Sequence, residues 1–333
     1  MIRPLKPLGG LYGRVMNARN AMYDRGSFRA HSLGARTISV GNITTGGTGK
    51  TPVVALIAEM LAGAGEVPCI LTRGYGRRDP GKRVLVSNGT EVLATASEGG
   101  DEPVELAEKL RGKAAVIADA DRVGAAEWAR AMLGVTAFIL DDAFQHRRAS
   151  RDLDIVCVDA TDPFGGGELL PAGRLREPVE GLGRADAIIL TRSDLAESEG
   201  AESRIREAAD GVPVFKAKTR LRRFSGCSGE GVREPGRSYV FCAIGNPGAF
   251  ETQLRNEGLE IAGFRPYRDH HRYSQRDVDV LVQEARSLAA DNLVTTAKDA
   301  VKLRGLQIPL PCLVAESDIE IDDAAAFRKM ILG

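Results

Sequence analysis

The sequence predicts an α/β protein: a P-loop nucleotide-binding domain with a mostly parallel sheet flanked by helices, and a smaller C-terminal α/β domain. Three observations predict it. Short apolar runs alternate with helix-length segments, the pattern of parallel strands joined by crossover helices. A glycine-rich stretch ending in Lys50-Thr51 falls between the first such run and the first such helix. With 333 residues the chain exceeds what one hydrophobic core usually organises, so a second domain is expected.

The chain opens on a basic arm. Arg3, Lys6, Arg14, Arg19, Arg25, Arg29 and Arg36 stand against the single acid Asp24, although the formal net charge of the whole is +0. After Pro4 and Pro7, the residues Leu8, Leu11, Tyr12, Val15, Ala18 and Met22 recur at helical spacing, with Arg14, Asn17 and Arg25 turned away. Residues 1–35 therefore read as a basic amphipathic segment, suited either to an anionic membrane surface or to packing on its own domain. Gly9, Gly10 and Gly13 count against the helix.

Apolar runs at residues 37–40, 68–71, 114–118, 136–140, 154–158 and 187–190 are expected to be buried strands, with helices at 52–61, 103–110 and 125–132. The P-loop domain is expected over residues 36–220. Around residues 212–221 the chain becomes extended and basic, and residues 225–237 are rich in Gly, Ser and charge, which places the boundary there. A second α/β cycle is expected over 221–315, with strands at 239–243, 259–264 and 293–296 and helices from Gly248 and over 275–288. Residues 309–314 turn back toward the first domain, and 316–333 form a C-terminal return segment. Pairing of 212–218 with 310–316 would make a two-stranded hinge.

Balanced charge argues against a general nucleic-acid binder, and no obligate protein partner is evident. Of the five cysteines, Cys69, Cys157, Cys242 and Cys312 lie in apolar runs and read as core residues of a reducing compartment; Cys227 does not, and no Cys-x-x-Cys pair occurs. No uncharged apolar run approaches the ~20 residues that span a bilayer. A cytosolic protein, or one lying on a membrane, is expected.

The chemistry begins at Thr44-Thr45-Gly46-Gly47-Thr48-Gly49-Lys50-Thr51. In a P-loop, backbone N–H groups surround the phosphates, the Lys reaches the β and γ oxygens and the hydroxyl holds Mg²⁺. Thr44 stands where the pattern has Gly; Gly46, Gly47 and Gly49 still permit close backbone approach, and Pro52 suits a helix start. A metal-side carboxylate is needed at the end of a neighbouring strand, and residues 137–142 end in Asp141-Asp142, either of which could serve with Thr51. Gly100-Asp101-Glu102-Pro103 puts two carboxylates at a loop-to-helix junction, a cap or a functional site. Asp142 runs on into Ala143-Phe144-Gln145-His146-Arg147, and residues 165–178 mix glycines and apolar residues with Arg174 and Arg176. Arg73, Arg77, Arg174 and Arg176 are candidate phosphate contacts, or solvated surface arginines.

On these motifs the sequence resembles the tetraacyldisaccharide 4'-kinase family, the lipid A 4'-kinases of Gram-negative bacteria. The resemblance rests on residues 40–52, on Thr72-Arg73-Gly74-Tyr75-Gly76, on Gly100-Asp101-Glu102-Pro103, on residues 141–146 and 170–178, on Asp269-His270-His271-Arg272-Tyr273 and on Thr296-Ala297-Lys298-Asp299. Ala143 departs from the family's usual Gly. The resemblance implies transfer of the ATP γ-phosphate to the 4'-hydroxyl of a tetraacyldisaccharide 1-phosphate, with ATP and Mg²⁺ as cofactors and a peripheral place on the cytoplasmic face of the inner membrane. It implies Asp101 as general base and His270 as its partner, His271 being the neighbouring competitor. Lys50, Thr51, Asp141 and Asp142 would stabilise the transferring group; Arg73, Gln145, His146, Arg174 and Arg176 would meet the lipid substrate. Two rival classes are a nucleotide switch of the GTPase or ParA-like kind and a non-catalytic lipid-binding protein. Thr191-Arg192-Ser193-Asp194 departs from a guanine-reading motif at Arg192, and Thr45 stands where ParA-like loops carry a signature Lys.

Overall fold

The computed structural model describes residues 5–196, 199–227 and 231–333. Pro4, expected just before the first helix, lies outside them, as do residues 228–230 of the Gly- and Ser-rich stretch. The first helix is α1 (Lys6–Asp24). The elements β1 (Arg36–Gly41), α2 (Lys50–Gly63), β2 (Pro68–Thr72), β3 (Val84–Ser87), α3 (Ala96–Gly99), α4 (Asp101–Lys109), β4 (Ala115–Ala118), α5 (Arg122–Leu133), β5 (Ala137–Asp141), β6 (Leu153–Asp159), β7 (Ala187–Thr191) and α6 (Glu199–Ala208) build the first half. The long strand β8 (Val214–Gly226) leads into β9 (Ser238–Cys242), α7 (Pro247–Asn256), β10 (Ile261–Pro266), α8 (Gln275–Ser287), β11 (Asn292–Thr296), α9 (Ala297–Ala300), β12 (Cys312–Ile321) and α10 (Ala324–Leu332).

Among the described residues twelve strands form one sheet in the order β10-β9-β11-β12-β8-β7-β6-β1-β5-β2-β4-β3. All pairs are parallel except β3 on β4 and β8 on β12. The strands near β1 are apolar on both faces because helices cover both: Ile38 and Val40 pack with Val53, Val54 and Ile57 of α2, while Phe138 and Leu140 pack with Ala125, Ala126 and Ala129 of α5. The β1–β5 register sets Val40 against Asp141, so the carboxylate strand ends beside the loop that leaves β1. Ligand sites in such sheets lie at these carboxyl ends.

The connection between the halves differs from the expectation. The chain does turn back at the C-terminus, but Ala217–Ile321 and Gly226–Leu313 are the ends of the β8–β12 ladder, so residues 217–226 rather than 212–218 pair with 313–321. Residues 214–216 instead pair parallel with β7, and β8 therefore belongs to both halves. The cross-strand pairs Arg223–Glu316, Arg222–Asp318 and Arg220–Glu320 explain why this basic stretch is a strand. Helix α10 then packs on the first half, with Phe327 edge-on to Phe215 at 5.4 Å. Cys69, Cys157 and Cys242 are buried as expected; Cys312 is only half-buried, and its Sγ lies 2.8 Å from that of Cys227, since β12 starts where β8 ends.

Candidate active site

The phosphate loop connects β1 to α2. Gly49 caps α2 at φ +73 and Gly46 sits at φ +111, backbone conformations that suit glycine. Arg174 lies close by, and a Cβ at Gly46 would come within 2.5 Å of Nη2 at the flexible end of its side chain. The loop is braced from outside. Arg174 donates from Nε and Nη2 to Thr45 O at 3.0 and 2.7 Å, and pairs with Asp162 at 2.6 Å. Thr191 Oγ1 donates to Thr48 O at 2.9 Å, and Arg192 donates to Gly47 O at 2.9 Å while pairing with Asp159. With these carbonyls held, the loop's N–H groups and the N-terminus of α2 form an anion cradle.

Lys50, the first residue of α2, and Asp142, just after β5, meet at 3.3 Å. Arg176 adds contacts at 2.8 and 2.9 Å to both oxygens of Asp142. Burial would push the Asp142 carboxyl up, but Lys50 and Arg176 outweigh it and hold it below the usual carboxylate range. Asp142 takes φ +52, an unusual conformation for a non-glycine residue and one found at functional sites. Asp141 is different: burial, with Glu102 and Asp142 adding to it, pushes its carboxyl up to about 6, although Thr72 Oγ1 donates to it at 2.9 Å. Among the described residues no group of three or more His, Cys, Asp or Glu side chains forms a cage for a metal ion. A hydroxyl and two carboxylates beside a phosphate cradle are a hard-oxygen set that fits Mg²⁺, which keeps waters and shares phosphate oxygens instead of filling a protein cage.

Across the cleft stands the second constellation. Gly100, at φ +99, caps α4, so Asp101 is the first helical residue and not the cap. Its carboxylate is buried and meets His270 Nδ1 at 2.9 Å (Oδ2) and 3.1 Å (Oδ1). Burial would raise the Asp101 carboxyl; the His270 bond and the Lys298 charge outweigh it, leaving the group below its ordinary range. The same bond raises His270 above the usual imidazole range against the opposing effect of burial. His270 has φ +61, and its N–H reaches Asp269 Oδ1 at 3.0 Å. His271 points elsewhere: it stacks on Tyr267 at 4.6 Å and faces Asp277 at 3.4 Å. Geometry thus separates two histidines that the sequence left as competitors.

One cleft of about 1700 Å³ joins these groups. Thr45 through Thr51, Arg73, Glu102, Asp141, Asp142, Arg176, His270 and Lys298 line it, so the phosphate cradle and the residues around Asp101 share one space. The second half contributes Gly245 and Asn246 at the cradle itself: a Cβ on Gly47 would lie 3.3 Å from Gly245 Cα, and Asn246 donates to Asp159 at 3.2 Å and Thr161 at 3.1 Å.

Asp101 and Arg174 stand behind that lining, and Thr44, Gln145, His146 and Arg77 fall outside it. Thr44 is buried and bridges to Leu175, so it anchors the cradle instead of facing the cleft. Gln145 donates to Asn42 O at 2.8 Å and to Glu177 Oε1 at 2.7 Å. Glu177 is fully buried and pairs with Arg184 at 2.7 Å. His146 has a buried Nε2 without a partner, and burial together with Arg122, Arg151 and Arg148 pushes its imidazole down to about 4. Arg77 is buried against the carbonyls of Lys82, Pro80 and Ala118, a loop clamp. Thr72, Arg192, Lys298 and Asp299 stand in motifs visible in the sequence, but their contacts, like the Arg192–Asp159 pair, are made only by the fold.

Helix α1 packs beside this site by an unexpected face. Gly9 and Gly13 form the contact, since a Cβ at Gly13 would lie 2.6 Å from Leu169 Cδ1. Tyr12, expected on the apolar face, turns inward and donates to Arg176 O at 2.9 Å. Leu8, Leu11, Val15 and Met22 are left 45–58% exposed among the described residues, an apolar stripe.

A phosphate cradle with its lysine, two strand-end carboxylates beside it, and a carboxylate–imidazole pair whose imidazole lines the same cleft define a P-loop phosphotransferase. The sequence profile of the tetraacyldisaccharide-1-P 4'-kinase family matches residues 1–333. A tetraacyldisaccharide 4'-kinase of Geobacter metallireducens is 41% identical over 88% of this chain and 86% of its own length. One from Syntrophus aciditrophicus is 37% identical over 94% and 88%. The crystal structure of an "apo" form LpxK from Aquifex aeolicus in complex with ATP superposes with a TM-score of 0.80 at 31% identity, covering 100% of this chain and 99% of the other. The chain belongs to the tetraacyldisaccharide-1-P 4'-kinase family. It is a kinase, and the nucleotide-switch alternative is not favoured.

Proposed function

We propose that this cleft moves the γ-phosphoryl group of ATP to the 4'-hydroxyl of a tetraacyldisaccharide 1-phosphate, the step in lipid A synthesis for which the family is named, with Asp101 as the base. The observation that supports the assignment of roles is the buried Asp101–His270 pair, made by two different halves of the molecule, whose imidazole lines the cleft that contains Lys50 and Asp142. A sugar hydroxyl is a weak nucleophile until a carboxylate takes its proton during attack. Asp101 is ionised and oriented for that task, because His270 bonds its carboxylate and holds it in one geometry.

The phosphate end is electrostatic. Thr45 through Thr51 surround the phosphates, and Lys50 reaches from the cradle toward the β and γ oxygens. Mg²⁺, when bound with the nucleotide, supplies positive charge to the phosphoryl oxygens; Thr51 and Asp142 would hold it, with Asp141 behind them orienting water. Arg176 lines the cleft on the same side and, like Arg73, offers charge to an anionic lipid.

The acceptor is met at a membrane surface. No helix among the described residues is long and apolar enough to cross one. The exposed stripe of α1 supports peripheral attachment, with Arg14 and Arg25 beside it to meet anionic headgroups on the cytoplasmic face of the inner membrane. Incubation with ATP and a tetraacyldisaccharide 1-phosphate, followed by mass spectrometry, tests the reading. A lipid gaining one phosphate, with ATP consumption that depends on the lipid, is the expected result; GTP or ATP turnover without phosphorylated lipid would contradict it.

A further inference from the structure

Thr296-Ala297-Lys298-Asp299 ends β11 and forms α9, and both of its charged side chains are buried. Lys298 Nζ donates to Glu102 Oε1 at 2.7 Å and to Asp269 Oδ1 at 3.1 Å. Those partners are informative. Glu102 is the neighbour of Asp101 on α4, in the first half, and Asp269 is the neighbour of His270, in the second. Asp269 Oδ1 also accepts the His270 N–H, which helps to hold the left-handed backbone that aims the imidazole. One ammonium thus bridges the residue beside the base and the residue beside its partner.

The backbone that carries Lys298 is itself anchored. Asp299 is fully buried and accepts from Ala243 N at 3.0 Å, Thr296 Oγ1 at 2.7 Å and Tyr273 OH at 3.2 Å, and it pairs with Lys302 at 2.7 Å. Ala243 O in turn faces the His270 N–H at 3.4 Å. The loop that presents His270 and the turn that presents Lys298 are therefore parts of one buried network. Burial would neutralise an isolated lysine, but Glu102, Asp101 and Asp269 outweigh it and keep Lys298 charged. Without that charge, the Glu102 and Asp269 carboxylates would face each other across the joint with nothing to hold them together.

We infer that Lys298 is a positioning residue for phosphoryl transfer: by bridging Glu102 and Asp269 it brings His270 against Asp101 when the two halves are closed. This rests on the reading of Asp101 as the base. Lys298 acts through the pair and takes no proton from the acceptor, so its loss lowers turnover while leaving nucleotide binding in place.

The test is steady-state kinetics of the full chain with ATP and tetraacyldisaccharide 1-phosphate. Lys298→Met is expected to lower kcat roughly 10- to 100-fold with KM for ATP within about twofold of the parent, and Lys298→Arg to recover most of the loss. Because both act through one pair, adding Lys298→Met to His270→Gln should cost less than about threefold more. Asp269→Asn, which keeps the Lys298–Glu102 contact, is expected to show the same kcat loss and serves if the Met variant does not fold. Any of three results would overturn the inference: kcat within about twofold of the parent, a raised KM with unchanged kcat, or full multiplication of the two losses. Asp101→Asn run in parallel separates the failures. Near-parental turnover there removes the base reading, while a slow Asp101→Asn beside an active Lys298→Met removes only the role of Lys298.

Discussion

At the scale of single residues, chemistry is decided by which side chains lose water and what charge replaces it. Asp142 and Asp141 are adjacent in sequence, yet Lys50 and Arg176 keep the first ionised while burial and two nearby acids push the second up to about 6. Composition showed both carboxylates and gave no means of ranking them, because their difference is made by residues from other elements. His270 and His271 were equally ambiguous, and they separate through a φ of +61 at one and stacking on Tyr267 at the other. His270→Gln is accordingly expected to lower kcat roughly 10- to 100-fold and His271→Gln less than about threefold, read from phosphorylated lipid formed per unit time. Equal losses would contradict the geometry. His146, expected at the substrate, sits in a loop with its Nε2 buried and without a partner. Its folded-state value of about 4 lies below the ~6.5 of an unfolded histidine. The unfolded chain therefore takes the proton first as pH falls, and stability present above pH ~6.5 is lost toward pH ~4. After allowance for its partial exposure the loss is roughly 1–2 kcal/mol. His146→Gln should flatten the fall of the urea midpoint across that window; an unchanged slope would mean that the imidazole does not carry it.

Elements were more legible than residues. The strands of the parallel sheet appeared in the sequence because a strand buried on both faces must be an apolar run, and the helices between them because one stripe of each must face the sheet. The phosphate loop was legible for a similar reason: glycine adopts the positive φ of Gly46 and Gly49 without strain. Helix α1 was only half legible. Its glycines looked like defects, whereas they are the surface by which it approaches Leu169, and that contact turns Leu8, Leu11, Val15 and Met22 outward. Replacing Leu11 and Val15 together by Glu places charge in the apolar stripe without touching the packed face. It is expected to weaken co-sedimentation with anionic vesicles at least about tenfold while leaving the melting temperature within a few degrees of the parent. Unchanged sedimentation would sink the membrane reading of this helix.

On the scale of the whole molecule, two halves share one sheet through β8, which pairs with β7 at its start and with β12 along the rest. That register was missed although its first part alternates: Phe215, Ala217, Thr219 and Leu221 are interleaved with Lys216, Lys218, Arg220 and Arg222, and Arg220 and Arg222 meet acids of β12 that only the fold brings opposite them. The second half runs β9, α7, β10, α8 and β11 before β12 returns to β8. The pairing of Asp101 with His270, 169 positions apart, came from the resemblance and not from spacing; beyond reach was the setting around it, with Gly245 against the phosphate loop and Lys298 between Glu102 and Asp269. The claim that this pair is the base assembly is tested most directly by the turnover of Asp101→Asn with saturating ATP and tetraacyldisaccharide 1-phosphate, set beside its affinity for ATP. A fall in turnover of roughly 10²- to 10⁴-fold with ATP affinity nearly intact is the predicted result. Turnover close to that of the parent would contradict it.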